Sequence, residues 1–415
     1  MKPTRRTRAR QHCIQHNARH RRGQRLWRRV RKRRRHRQSR RRKHVCPCGW
    51  KTWAVYDRSN RRWRHLDLGA TRCELEAEIV RIDCKQCHRV RTEVVPWARP
   101  GSRHTRDFQD VVCYLAQRTD KTTICRLMRT SFEAVARIVE TVVREELDDA
   151  RLNDLYRIGV DEVSYRKGHR YLTVVADHDR DGAVIWVGEG KGAKTLLAFY
   201  DELGPGRTAK LEAVSLDMGG AYKKATDDKA PQARQCVDPF HVVKLCNEAI
   251  DKTRRWAWNV HREAGLPSAA WVKKTRWALV KDPGDLLDSQ IEILRELERR
   301  RSVLFRSWQL KEALRDLYRL ADPADAAAHL DWWLAWASRC RIPAFVSFQK
   351  TVRANRDRIL AAVERGLSNS KLEGLNSKIR LINHRGYGHR SLPALIAMIY
   401  LCCGGITVTL PFERS

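Results

Sequence analysis

The first 43 residues of this chain contain no aspartate and no glutamate, yet they hold 21 of its lysines and arginines. A segment so rich in one charge and so poor in apolar side chains cannot form a core, so we expect residues 1–44 to be a disordered basic arm. The whole chain has 84 Lys and Arg against 48 Asp and Glu, a formal charge of +36. This charge is typical of a protein that binds the phosphates of nucleic acid.

Other features are also missing. The beginning of the chain has no apolar segment of the kind that forms a signal peptide. Residues 391–412 are the one uncharged run of membrane-spanning length, and Pro393 and the Gly404–Gly405 pair interrupt it. We therefore expect a buried helix followed by a strand at Ile406–Leu410, and no membrane partner. We expect the cysteines to be reduced thiols, which favours a cytoplasmic, nucleoid-associated protein.

Two close cysteine pairs mark residues 45–98. One residue separates the cysteines of the first pair, two separate those of the second, and 35 lie between the pairs. Thiolates on two tight turns suit tetrahedral Zn²⁺, which predicts a zinc-ribbon-like module that needs its metal to fold. The expected ligands are Cys46, Cys48, Cys84 and Cys87, with His44, Cys73 and His88 as alternatives, and the expected strands are Trp53–Tyr56, Arg62–Leu68 and Glu76–Ile82.

Residues 101–150 place apolar side chains at helical spacing. A short turn before the last helix, with an N-cap at Thr130-Ser131, suits a helix-turn-helix. We expect residues 131–137 to enter the major groove of DNA. The predicted helices are His104–Arg118, Lys121–Met128 and Ser131–Glu146.

Residues 155–255 contain three successive strands and then alternating helices and strands, an order typical of the ribonuclease H-like fold. Three of the strands end in an aspartate: Asp161, Asp217 and Asp238. A carboxylate at the end of a buried strand is costly unless a hydrogen bond, a cation or a metal compensates it. We therefore predict that Asp161 binds a metal, whereas its neighbour Glu162 points the other way along the strand. For Asp238, a simple helix N-cap is the alternative.

The last part of the chain is predicted to be helical. Residues 256–365 are rich in tryptophan, which we interpret as a helical core, with base stacking by one or two exposed rings as the alternative. Residues 368–381 open a further helix, with Glu373 in its first two turns. No P-loop competes for a catalytic role, because residues 188–192 lack its pattern.

Four motifs, taken in order, resemble those of an insertion-sequence transposase of the ISL-three family. They are GVDE at 159–162, SLDM at 215–218, DPFHV at 238–242 and SKLEGLNSKIRLINHRGYG at 370–388. The chain is similar to this family from the cysteine pairs onward. The resemblance implies a multidomain α+β protein with a zinc-binding module, a helix-turn-helix and a DDE catalytic core. The core would be of ribonuclease H-like fold, split into residues 155–255 and 366–415 by a helical insertion at 256–365.

The resemblance also implies the site. Asp161, Asp217 and Glu373 match the family's three acids, which hold Mg²⁺ or Mn²⁺. Asp238 and His241 match a stretch beside the site. Mg²⁺ prefers oxygen ligands, and a pair of such ions activates the attacking oxygen and stabilises the leaving one. Water would then cut the element's ends, and the freed 3′-hydroxyl would attack target DNA.

Helical spacing places Asn376 and Arg380 on the same face as Glu373. We expect Arg166, Lys167, Lys378 and Arg380 to contact the DNA backbone, with a solvated face as the alternative. The expected partners are the element's terminal inverted repeats, target DNA and at least one second copy of the chain. Two alternative functions are a regulator that binds DNA without cutting it, and a nuclease that cuts without joining.

Overall fold

The structure is a computed structural model, and it describes residues 30–31, 43–320, 322–386 and 388–414. The chain divides into two compact units, Met1–Phe108 and Gln109–Ser415. The predicted basic arm, residues 1–44, lies outside the described residues except for 30–31 and 43–44.

The first unit is built from short strands. An antiparallel sheet joins β4, β5 and β6, a separate hairpin joins β2 and β3, and β1 lies parallel to the beginning of β5. Its apolar core is small, so little buried surface is available to hold it together. The strands are β1 Val30–Arg31, β2 His44–Val45, β3 Lys51–Thr52, β4 Asp57–Arg64, β5 Cys73–Cys84 and β6 Arg89–Thr92.

One strand predicted for this unit is wrong. Trp53–Tyr56 is irregular, and its two aromatic rings are more than half exposed. Lys43 lies over the Trp53 ring and Arg81 over the Tyr56 ring, so cations rather than a core cover them. Strand β4 begins at Asp57, where pairing with β5 starts, and ends at Arg64, so the strand predicted at Arg62–Leu68 is confirmed only for residues 62–64.

Three helices, α1 Arg106–Ala116, α2 Lys121–Met128 and α3 Phe132–Glu146, form the predicted helix-turn-helix region. Ser131 caps α3, because its side chain accepts a hydrogen bond from the Ala134 N–H at 3.2 Å. Asp120 caps α2 in the same way. The predicted N-cap and the predicted bounds of α2 are therefore confirmed.

A five-stranded mixed sheet forms the centre of the second unit. Its order is β11-β10-β7-β8-β9, with β7, β8 and β9 antiparallel and β7, β10 and β11 parallel. Apolar side chains of the sheet pack against those of two helices, α4 and α6, and together they form one core. The strands are β7 Arg157–Arg166, β8 Arg170–Asp177, β9 Ala183–Glu189, β10 Ala213–Leu216 and β11 Arg234–Val237, and the intervening helices are α4 Ala193–Leu203, α5 Pro205–Thr208 and α6 Gly220–Lys229.

The expectation that Asp161 ends its strand is wrong. Strand β7 continues to Arg166, because it pairs with β8 as a long hairpin beyond the point where β10 stops. Asp161 therefore lies in the middle of β7, but level with the ends of the shorter parallel strands.

In the described residues that follow the sheet, eight α-helices pack around one apolar core. Helix α7 crosses the expected boundary at 255/256 without interruption. Trp333 is fully buried, whereas Trp256, Trp277 and Trp332 are more than half exposed, so the tryptophans do not share one role. The helices are α7 Pro239–Glu263, α8 Ser268–Lys274, α9 Arg276–Val280, α10 Asp288–Arg299, α11 Val303–Asp316, α12 Pro323–Arg339, α13 Pro343–Ala354 and α14 Arg356–Arg365.

Two last helices, α15 Ser370–Arg385 and α16 Leu392–Cys403, return to the sheet and to α3. The strand predicted at Ile406–Leu410 is wrong, because the Ile406 carbonyl accepts a hydrogen bond from the Gln117 side chain instead of a neighbouring strand. Among the described residues, no helix is both long and apolar enough to cross a membrane.

Candidate functional site

Two tight turns carry the four predicted zinc ligands. The first turn joins β2 to β3, and the Gly49 N–H closes it by donating to the Cys46 carbonyl at 2.9 Å. Gly49 has a φ of +91°, which glycine adopts without strain, and this allows the cysteines to be only one residue apart. The second turn follows β5, where the Cys87 N–H donates to the Cys84 sulfur at 3.3 Å.

The four sulfurs face one another. Cys46, Cys48, Cys84 and Cys87 all place their Sγ atoms within 4.8 Å of each other. The Cys46–Cys87 and Cys48–Cys84 sulfurs are 4.0 and 3.6 Å apart. A tetrahedral Zn²⁺ with bonds of about 2.3 Å needs sulfurs about 3.8 Å apart, so the geometry fits the metal.

Two of the alternative ligands, His44 and Cys73, have other partners. The His44 imidazole lies 2.9 Å from Glu93, and the Cys73 thiol lies 3.7 Å from the Thr71 carbonyl. A hydrogen bond from the Trp50 backbone lowers the pKa of Cys48 to about 7, which favours a thiolate near neutral pH. The four cysteines are therefore the zinc ligands that the structure supports.

Three aspartates stand at one level at the edge of the large sheet. Ser215 pairs with Gly159, and Leu216 pairs with Val237. Continuing this register brings Asp161 on β7 side by side with Asp217 and Asp238, which directly follow the last residues of β10 and β11. The carboxyl ends of adjacent parallel strands thus share a row of acids.

Asp161 is partly buried and tightly held. Its Oδ2 accepts a hydrogen bond from the Asn376 amide at 2.6 Å, and its Oδ1 accepts one from the Glu162 N–H at 2.7 Å. Burial raises the pKa of Asp161, and nearby Asp238 acts in the same direction. The hydrogen bonds oppose this shift, so they stabilise the carboxylate form.

The negative charge of Asp217 acts on the neighbouring carboxylate of Glu162. The Asp217 Oδ1 accepts a hydrogen bond from the Gly219 N–H at 2.7 Å, which turns this carboxylate toward the following loop. Burial raises the pKa of Glu162, and the negative charge of Asp217 raises it further. The charge of Asp217 therefore reaches Glu162, although Glu162 was expected to point away from Asp161 along the strand.

Asp238 caps α7, as the alternative interpretation expected, and also belongs to this acidic row. Its Oδ1 accepts hydrogen bonds from the Phe240 N–H at 3.2 Å and the Asn369 N–H at 3.0 Å. Its Oδ2 lies 3.0 Å from the His241 Nδ1. That hydrogen bond raises the pKa of His241, and the charges of Asp161 and Asp217 add to the effect. The structure thus brings His241 into the group.

Glu373 occupies the first turn of α15 and is exposed. It lies three residues, about one helical turn, before Asn376, the residue that contacts Asp161. In the part of the chain that the structure describes, only the four cysteines bring three or more potential ligand atoms within 4.8 Å of one another. Glu373 is thus near the row of acids without joining it in a closed cluster.

The predicted DNA contacts fall in different places. Arg166 and Lys167 are exposed at the tip of the β7–β8 hairpin, and Arg380 is exposed on α15. Lys378 lies about 200° around α15 from Asn376, on the far face from the sheet, and lines a cavity with α2 and α3 residues. Its expected DNA contact remains a prediction.

Family models of known proteins match three parts of the chain. Residues 158–399 match a family model described as an ISL3-type DDE transposase. The chain belongs to the ISL3 family of transposases. Residues 93–143 match the helix-turn-helix domain of that family, and residues 42–87 match the zinc-finger of transposases such as that of IS1001.

Two curated relatives of this ISL3 transposase align with it over most of this chain and most of their own length. It is 38% identical over 393 residues to the transposase for insertion sequence element IS1557 of Mycobacterium tuberculosis, covering 89% of this chain and 87% of the relative. It is 29% identical over 344 residues to the transposase for IS1001 of Bordetella parapertussis, covering 83% and 84%.

Two residues of the site region were missed by sequence reasoning. Ser215 and Asn369 are both fully buried, and the Ser215 hydroxyl donates to the Asn369 side-chain oxygen. His178 lies 2.8 Å from the same hydroxyl. Ser215 begins the SLDM motif and Asn369 directly precedes the motif at 370–388, but only their burial and their hydrogen bond reveal that they join α15 to the sheet.

Proposed function

We propose that this ISL3 transposase binds the ends of an insertion sequence and catalyses metal-dependent DNA cleavage and strand transfer with Asp161, Asp217 and Glu373. The observation that carries the proposal is the row of aspartates on adjacent parallel strands, with the helix bearing Glu373 bonded to Asp161 through Asn376. The antiparallel–parallel order of the sheet fits a ribonuclease H-like core. In the same proposal α8–α14 and the end of α7 form the helical insertion.

The acids fit a divalent cation. Among the described residues, neither Asp161 nor Asp217 forms a side-chain ion pair with a lysine or arginine, although the Arg358 guanidinium donates to the Asp217 backbone carbonyl at 3.1 Å. Carboxylate oxygens are the ligands that Mg²⁺ and Mn²⁺ prefer. Asp161, Asp217 and Glu373 would hold the ions, which when bound supply activation of the attacking oxygen and stabilisation of the leaving one.

The protein's own side chains prepare this site. Asn376 holds one oxygen of Asp161 and leaves the charge uncompensated, because an amide donates a hydrogen bond without carrying a charge. Asp238 and His241 close the far end of the row. Glu373 is exposed, so the site is open on the side from which a DNA phosphate approaches. Since the acids act on phosphate rather than on base, one site serves both cutting and joining.

The other domains deliver DNA to the acids. In this proposal the zinc module and the helix-turn-helix read the terminal inverted repeats. Arg166, Lys167 and Arg380 contact the backbone near the site. Two ends must be held together for joining, which requires at least two copies of the chain.

One assay tests the proposal. Purified protein is incubated with Mg²⁺, labelled element ends and a target plasmid, and both cut and joined products are measured. Asp161→Asn should lower cleavage by about three orders of magnitude, roughly 4 kcal/mol of transition-state stabilisation, because the amide cannot replace the anionic ligand. Asp228→Asn, at an exposed position on α6, is the matched control.

DNA binding is measured in parallel and should be unchanged in both variants. Full activity in Asp161→Asn would contradict the site. Binding without cleavage in the unmodified protein would indicate a regulator, and cleavage without joining would indicate a nuclease.

A further inference from the structure

Three asparagines recur along α15 at intervals of seven residues: Asn369 at its N-cap, Asn376 and Asn383. Seven residues make almost two helical turns, with a drift of only about 20°, so the three side chains lie on one face. Successive members are about 10 Å apart along the axis. We call this set the asparagine ladder.

Each member of the asparagine ladder bonds to the sheet. The Asn369 N–H donates to Asp238 on one side, while its side-chain oxygen accepts from Ser215. The Asn376 amide donates to Asp161 at 2.6 Å. The Asn383 amide donates to the backbone carbonyl of Tyr165 at 2.7 Å. The contacts advance along β7 as they advance along α15, so helix and strand run in the same direction.

The helix also approaches the strand closely. A Cβ atom on Gly159 would lie 2.8 Å from Leu372 Cδ2 and 2.8 Å from His178 Nε2. Glycine at this position therefore lets α15 come closer to the sheet than any other residue would. Gly159 determines the distance between α15 and the sheet. The asparagine ladder determines the position of α15 along its own axis and its rotation about that axis.

Glu373 depends on this placement. Its backbone N–H donates to the Asn369 carbonyl at 2.8 Å, and its side chain projects about 60° around the helix from Asn376. Its carboxylate makes no ion pair within the described residues. The position of Glu373 relative to Asp161 is therefore fixed by the backbone of α15, and hence by the bonds that hold α15.

We propose that Asn369, Asn376 and Asn383 are positioning residues that fix the register of the Glu373 helix against the sheet, so that metal affinity depends on all three. This inference rests on the proposed role of Asp161 and Glu373. Asparagine suits the task because an aspartate would add repulsion beside Asp161, a lysine would neutralise it, and a leucine would pack without fixing a register.

Asn383 gives the sharpest test, because it lies about 10 Å from Asn376 and bonds only to backbone. Asn383→Leu keeps the size and removes the donor. We expect Mn²⁺ affinity, measured by calorimetry, to fall roughly tenfold, and the Mg²⁺ concentration for half-maximal cleavage to rise to match. Asn383→Gln keeps the amide and should recover most of both. Asn376→Leu, at the acid itself, should lose roughly a hundredfold.

Melting temperature and DNA binding are measured for every variant. If Asn383→Leu does not fold, Asn383→Ser replaces it, since serine is small and polar but too short to reach the Tyr165 carbonyl. Unchanged metal affinity in the folded Asn383 variant, beside an inactive Asp161→Asn, overturns the asparagine ladder alone, even if Asn376→Leu loses affinity through its direct contact with Asp161. An active Asp161→Asn overturns the proposed function on which it rests.

Discussion

The two candidate metal sites of this protein are built in opposite ways. The four cysteines of the first unit already lie within 4.8 Å of one another, on two turns of a few residues each. The acids of the second unit come from β7, β10, β11 and α15, and they do not form such a compact group among the described residues. A local turn can preassemble thiols, whereas the acids depend on the packing of distant segments.

Charge explains part of this difference. Burial raises the pKa of Cys46 and so favours its neutral form, and a neutral thiol can approach the Cys48 thiolate without charge repulsion. Carboxylates at neutral pH repel one another, and here hydrogen bonds from Asn376, Gly219 and Phe240 hold them apart on a rigid edge. We therefore expect that loss of a zinc ligand unfolds the zinc module. Loss of a contact at the row of acids should instead shift the acids relative to one another.

Removing a zinc ligand should produce the largest change. Cys84→Ser should release the metal and unfold the zinc module, because structural zinc contributes on the order of 10 kcal/mol and the apolar core is small. Zinc content and hydrogen exchange of residues 43–98 measure this. Exchange of the five-stranded sheet should not change.

Cys73→Ser is the matched control, since Cys73 lies outside the four-sulfur group. It should keep both the zinc and the slow exchange. Zinc loss in Cys73→Ser, or retention in Cys84→Ser, would contradict the ligand assignment.

A methyl group at Gly159 should displace α15, and with it Glu373 and Asn376, relative to the sheet, although no acid is substituted. Gly159→Ala would force Leu372 or His178 to move, and overpacking of this kind costs about 1–3 kcal/mol. We expect a lower melting temperature together with slower cleavage, because the Asn376–Asp161 bond must lengthen. Gly206→Ala, where a Cβ meets open space, is the control. If Gly159→Ala is less stable but still cleaves DNA at the normal rate, the close packing at Gly159 does not position the acids.

Glu162 should give the smallest effect. Its carboxylate is hydrogen-bonded by Tyr222, whose hydroxyl also lies 2.8 Å from Thr173. A glutamine can still accept that hydrogen bond, so Glu162→Gln should slow cleavage by less than about tenfold, or 1.4 kcal/mol. The same assay on Asp217→Asn should show a loss of about three orders of magnitude. Equal losses in the two variants would make Glu162 a fourth ligand.

Local patterns predicted much of the fold. The bounds of α2 match the prediction, because this helix has a clear apolar period and a side-chain cap at Asp120. The strand-end positions predicted for Asp217 and Asp238 are confirmed to within one residue, whereas Asp161 joins their row only because β7 continues beyond the shorter β10. The length of β7, the irregular Trp53–Tyr56 segment and the loop after α16 were not predicted, because each depends on which distant segment supplies a pairing partner. The same limit hid Ser215 and Asn369, whose roles exist only between α15 and the sheet.

The order of the acids along the chain has a consequence for protein synthesis. Asp161 and Asp217 leave the ribosome before α7–α14, and Glu373 follows them on α15. A nascent or truncated chain that stops among those helices has its DNA-reading helices but lacks Glu373, and the sheet face around Gly159 is not yet covered. On the proposed mechanism such a chain can occupy an element's end without cutting it, so cutting begins only after translation has passed α15.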